Sequence, residues 1–182
     1  MFTRLQQATY FAVTKYDYGE IHDAFEYFRK MYPNDEIRAA LWNATQPARG
    51  PFLEMVKEDI QKMVDADIVG GFGFAQATIK AFKALSPNEH GKRGILIFTS
   101  ATGARRGAPN CTVTAPGKFA VRALSQSLAK EFKNDDIHVS HAIIDGMIMT
   151  DRWKVTSGDE WFAEKIKDEK QRLHPASIAK VA

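Results

Sequence analysis

Apolar and polar positions along this chain change period several times. Thr9-Tyr10-Phe11-Ala12-Val13-Thr14 is a short run rich in β-formers, and Ile21, Ala24, Phe25, Phe28 and Met31 then recur at helical spacing. The pattern predicts a strand, then a helix ended by Pro33-Asn34. A second short apolar run at 37–42 stops at Asn43-Ala44. Pro51 stands near the start of a longer helical stretch whose apolar face carries Ile68, Phe72, Ala75, Ile79 and Phe82 and which Pro87 and Gly91 close. Gly70-Gly71-Phe72-Gly73 falls inside that helical pattern and predicts close helix packing. Residues 94–99 are the clearest strand, apolar without interruption as in a strand covered on both faces. Val121, Leu124, Leu128 and Phe132 mark a further helix, residues 138–144 a fourth strand, and Trp161, Phe162, Ile166 and Leu173 a terminal helix.

Strands separated by helices of this length must pair in parallel, because each crossover returns the chain to the same end of the sheet. The fold class expected is α/β, with helices on both faces. In such sheets ligands bind beyond the carboxyl ends of the strands, where this sequence places Asp17, Asn43, Ser100 with Thr102, and Asp145. Any one of these residues could simply cap a helix or make a turn. Their recurrence at one edge marks a candidate site.

Composition narrows the function classes. In 182 residues, 45% hydrophobic and 26% charged, there is apolar material for one core, and one domain over 1–182 is expected. Its 25 Lys and Arg are interspersed with 22 Asp and Glu, so nucleic acid is not an expected partner. Cys111 stands alone and can make neither an internal disulfide nor a thiolate zinc site, which fits a reducing compartment. No run approaches the roughly 18 apolar residues of a membrane span, and the start has no signal-peptide core, so a cytoplasmic protein without a membrane partner is expected. No metal site is expected either. His138 and His141 are three apart on a strand and point to opposite faces, which suits surface or capping roles. No Gly-x-Ser-x-Gly elbow surrounds Ser100, which argues against a hydrolase, and Arg105-Arg106 reads as a solvated loop pair.

Ile97-Phe98-Thr99-Ser100-Ala101-Thr102-Gly103, followed after a turn-rich gap by Gly117-Lys118-Phe119-Ala120-Val121-Arg122-Ala123-Leu124-Ser125, resembles the central stretch of the short-chain dehydrogenase/reductases. Asn43-Ala44-Thr45 resembles that family's Asn-Ala-Gly, and residues 64–70 resemble the helix bearing its catalytic asparagine. Residues 137–150 resemble its last core strand and Pro-Gly-x-x-x-Thr loop, so the likeness runs from about residue 10 to 182. It implies a Rossmann-like three-layer sandwich with a mostly parallel sheet, lacking the first βαβα unit. It also implies hydride transfer between NAD or NADP and a small-molecule carbonyl or alcohol substrate, and a homodimer or other homo-oligomer. Carried over residue by residue, the lysine that holds the nicotinamide ribose maps to Lys118 and the serine that polarises the carbonyl to Ser100. Asp17, Asn43, Ile148 and Thr150 fall at cofactor-binding positions.

Two catalytic positions depart from the pattern. Thr114 stands four residues before Lys118, where the family has its general acid-base tyrosine, and Asp67 stands where it has asparagine. A threonine hydroxyl does not ionise near neutrality and is shorter than a phenol, and losing a general acid-base group typically costs about 10²–10⁴ in rate. The Gly-x-x-x-Gly-x-Gly turn that faces the pyrophosphate does not occur in these 182 residues, so weak dinucleotide binding is expected. The expectation is an impaired or inactive oxidoreductase in which Ser100, Lys118, Asp67 and a water or Thr114 form the site. The alternative is a non-catalytic, dimeric binding or scaffold protein of the same descent.

Overall fold

The computed structural model describes residues 9–46 and 48–148, and from the C-terminal stretch residues 160, 163–164, 167, 172–173, 175–178 and 180. Helix α1 spans Tyr18–Met31 and begins where the Asp17 carboxylate accepts a hydrogen bond from the Glu20 backbone N–H at 2.9 Å. Glu20 in its first turn and Arg29 and Lys30 in its last complement the helix dipole. Strand β1, Ala39–Trp42, follows. Helix α2, Lys57–Met63, continues through a π-helical segment, Val64–Gly70, into helix α3, Gly71–Lys83. Strand β2 is Gly94–Ser100, helix α4 is Thr114–Glu131 and strand β3 is Ile137–Ile143. Short strands β4, Met147–Ile148, and β5, Arg172–Leu173, pair in parallel, and a helical turn α5 spans Pro175–Ile178.

The main sheet has the order β1-β2-β3, all parallel, with Leu41 opposite Ile97 and Phe98 opposite His141. Parallel pairing and intervening helices are as the periodicity predicts. Along β2 burial alternates: Leu96 and Phe98 are fully buried, whereas Ile95 is 39% exposed. The buried set packs with Trp42 and Val139 against Ile21 of α1, Ala75, Ile79 and Phe82 of α3, and Val121 and Leu124 of α4. All three long helices therefore share one face of the sheet.

The strand expected at residues 9–14 does not form. Both the Thr14 backbone N–H and hydroxyl, and the Lys15 N–H at 2.9 Å, donate to the Glu20 carboxylate, and Phe11 packs on Tyr27 with ring centroids 5.3 Å apart. β-formers make a strand only where an edge accepts their backbone groups, and here local side chains take that place. The strand expected at 37–42 is shortened to β1; of the terminal helix expected at Trp161, Phe162, Ile166 and Leu173, the first three residues lie outside the described ones, and Leu173 is in strand β5 instead, paired with Ile148. The glycine cluster does serve close packing. A Cβ on Gly70 would lie 2.9 Å from Tyr16 Cβ and 3.1 Å from the Trp42 ring.

Candidate active site

Ser100 ends β2, and Asn43 follows β1, so the sheet itself delivers both to one edge. Helix α4 starts with Thr114 and carries Pro116 in its first turn, where proline has no backbone N–H to forfeit. One turn on, Lys118 is buried and points its ammonium at Asp67, with Nζ 3.3 Å from Oδ1. Asp67 sits in the π segment, and its other oxygen, Oδ2, accepts a hydrogen bond from Thr45 Oγ1 at 3.1 Å. Gly117 makes this approach possible: a Cβ there would stand 2.7 Å from Asp67 Oδ2 and 2.8 Å from Met63 Sδ. A π turn adds one residue to a helical circuit and is often found at functional sites. In this chain it carries the only carboxylate among the described residues that is paired with Lys118.

Burial pushes the Asp67 carboxyl above the ordinary carboxylate range, and the Lys118 ammonium and the Thr45 hydroxyl pull it partly back. Burial is the larger influence. An ion pair this deep in the protein is held by geometry and by its third partner rather than by Coulomb attraction alone.

Thr114 is committed elsewhere. Its hydroxyl donates to the Ala48 carbonyl at 2.8 Å and accepts from the Ala48 N–H at 3.2 Å, tying α4 to the loop after β1. Ser100 is buried, and its Oγ has no hydrogen-bond partner among the described residues. The turn after Ser100 lies against Lys118, since a Cβ on Gly103 would be 3.7 Å from Lys118 Cγ. Thr114, Lys118 and Asp67 thus meet around the start of α4, and the turn that follows Ser100 packs against it.

The other sequence-derived candidates have different neighbours. Asn43 Oδ1 accepts from Thr99 Oγ1, Thr102 Oγ1 bonds Asp145, and Asp17 caps α1. Asp17 also borders a cavity of about 310 Å³ shared with Thr14, Tyr16, Gln46, Lys62 and Val69. Ile148 lies in β4 opposite Leu173, and Thr150 lies outside the described residues. His138 and His141 do face opposite sides, but His141 is half-buried, and its Nε2 is buried without a partner among the described residues. Burial, with the Arg122 and Lys118 charges, holds its pKa below the ordinary histidine range. The signal for it was present in the sequence, because period-2 alternation puts His141 on the same face as Val139.

No helix among the described residues is long and apolar enough to cross a membrane. The chain is 34% identical over 100 residues to a 3alpha-hydroxysteroid dehydrogenase of Mediterraneibacter gnavus, covering 55% of this chain and 37% of that protein. It is 29% identical over 104 residues to an L-2,3-butanediol dehydrogenase of Corynebacterium glutamicum, covering 57% of this chain and 38% of that protein. These matches span well under half of the relatives' lengths. Among solved structures, a short chain dehydrogenase from Salmonella enterica superposes with a TM-score of 0.75 at 22% identity, covering 97% of this chain and 67% of that one. A gluconate 5-dehydrogenase from Burkholderia cenocepacia in complex with NADP and tartrate gives a TM-score of 0.67 at 19% identity, over 81% of this chain and 54% of that one. These likenesses establish a Rossmann-like fold. Since the sequence pattern of the short chain dehydrogenases matches residues 3–161, most of its length, the chain belongs to that oxidoreductase family.

Proposed function

We propose that this chain carries the substrate end of an NAD(P)-dependent oxidoreductase that interconverts a small-molecule carbonyl and its alcohol, and that its turnover is slow. The observation that carries the reading is the buried cluster at the start of α4, in which Ser100 keeps a buried hydroxyl unpartnered while Lys118 is fixed by Asp67. An unpartnered buried hydroxyl is costly, and a substrate oxygen is a group that would satisfy it. When bound, a nicotinamide would exchange a hydride with the substrate carbon. The residues present suit its ribose end: Lys118 supplies a cation against the turn that follows Ser100, and Asn43 lies at the same sheet edge as Ser100. Both curated relatives named above are dehydrogenases of alcohols, which supports the substrate class.

Slow turnover follows from Thr114. Its hydroxyl is held in both directions by Ala48 and has no acidity near neutral pH, so the proton that the reacting oxygen must gain or lose has no phenol to come from. The same commitment favours a second reading, a homo-oligomeric binding protein that keeps the fold without turnover. The two are separated by titrating the chain with NADH and with NADPH, following nicotinamide fluorescence, and then assaying a panel of aldehydes and ketones. Weak, saturable binding with turnover about 10²–10⁴ below that of a tyrosine-bearing relative is expected. Absence of cofactor oxidation with every carbonyl, in the wild type and in Thr114→Tyr alike, would transfer the case to the second reading, for which light scattering should show an oligomer.

A further inference from the structure

Ser100 and His141 share the helix-facing side of the sheet. Phe98 is opposite His141 and Ser100 opposite Ile143, so His141 stands diagonally across from Ser100, with Cα atoms about 8 Å apart by ordinary strand spacing. Side chains at that separation on one face can be joined through one water. Ser100 Oγ and His141 Nε2 are both buried and both without a hydrogen-bond partner among the described residues. Two unsatisfied polar atoms on neighbouring strands, facing the same side beside Lys118, are hard to explain as packing.

Resting on the function proposed above, we propose that Ser100 and His141 form a proton relay, in which His141 Nε2 exchanges a proton with Ser100 Oγ and Ser100 exchanges it with the substrate oxygen. The competing candidates are occupied: Thr114 is bonded to Ala48, and Lys118 is paired with Asp67. In carbonyl reduction the Ser100 O–H bond breaks as the substrate oxygen gains its proton. In the same step the imidazolium passes its proton through the bridging water to Ser100 Oγ, and the neutral imidazole so formed takes a proton from solvent, so one solvent proton is consumed. In alcohol oxidation each transfer runs backwards and the neutral imidazole receives the proton. The charged groups facing His141 are Lys118 and Arg122 of α4, the former shared with Asp67 of the π segment. Both cations and the burial favour the neutral ring, so near neutral pH the relay is set for alcohol oxidation, and reduction gains as pH falls.

The test reads the ring directly. Long-range ¹H–¹⁵N spectra of the uniformly labelled full chain are recorded against pH, with His141→Gln to assign the signal. His141 should titrate below the ordinary histidine range, and Ser100→Ala should move its Nε2 resonance. A His141 signal indifferent to Ser100→Ala overturns the relay. In steady state His141→Gln should slow turnover about 10²-fold and flatten its pH profile; an unchanged profile also overturns it. Complete lack of turnover in the wild type would instead remove the oxidoreductase reading, while the ring spectra still decide whether the two residues communicate.

Discussion

At the scale of single residues the site turns on two hydroxyls, one cation and one carboxylate, and on which of them are free. Thr114→Tyr gives up the two bonds to Ala48, at a cost of about 1–2 kcal/mol in stability, and supplies the missing phenol beside Lys118. Its carbonyl reduction should rise about 10-fold or more over wild type in a steady-state assay. Lys118→Met leaves the Asp67 carboxylate buried and unpaired, so urea unfolding at pH 7 should report a loss of about 3–5 kcal/mol. Adding Asp67→Asn to that variant removes the stranded charge and should restore part of the loss. The pH dependence of Asp67 has a definite sign. Its carboxyl is raised in the fold by burial, so its contribution is fully present below the unfolded value of 3.8 and is lost as pH rises through the higher folded value. Wild type should therefore gain stability relative to Asp67→Asn as pH falls through that window, and a gap between the two curves that ignores pH would contradict this account.

Among elements, the site is made by the contact between α4 and the π segment. Gly117→Ala places a methyl group against Asp67 Oδ2 and Met63 Sδ, neither of which can withdraw without moving the helix or breaking the pair with Lys118. A loss of about 1–3 kcal/mol in chemical denaturation is expected, larger than a helix-interior Gly→Ala change would otherwise produce. Much of this level was legible in the sequence. Long helical faces are dictated by burial, and burial leaves its period in the residue order; the unbroken apolar run at 94–99 marks the strand, although the described residues bury only one of its two faces fully. What escaped were features set by competition or by one extra residue. Residues 9–14 look like a strand until Glu20 is seen to take the N–H groups at its end, those of Thr14 and Lys15. Residues 64–70 read as ordinary helix because a π turn keeps the same residue types and only widens the circuit that carries Asp67. At the site, Ser100 stood out by its place after a strand, Lys118 by the family resemblance, and the face of His141 by strand alternation, whereas the engagement of Thr114 by Ala48 depends on a contact across the sheet edge that no local pattern encodes.

For the molecule as a whole, the described structure is one-sided: α1, α3 and α4 cover one face of a three-stranded parallel sheet. The other face presents Leu41, 53% exposed, and Ile95, 39% exposed, on neighbouring strands. Parallel sheets ordinarily have both faces covered, so the two faces of β2 provide a direct measure of where the cohesive energy lies. Leu96 is fully buried amid Phe82, Phe98 and Val121, and Leu96→Ala should cost about 2–5 kcal/mol because the surrounding rings cannot collapse into the cavity. Ile95, one residue away with its side chain on the opposite face, leaves much less apolar surface to be re-exposed, so Ile95→Ala should cost less than half as much. Urea midpoints of the two variants, measured at several protein concentrations, make the comparison. Equal losses independent of concentration would mean that other residues of the same chain cover the second face, and equal losses that grow on dilution would mean that a second copy does.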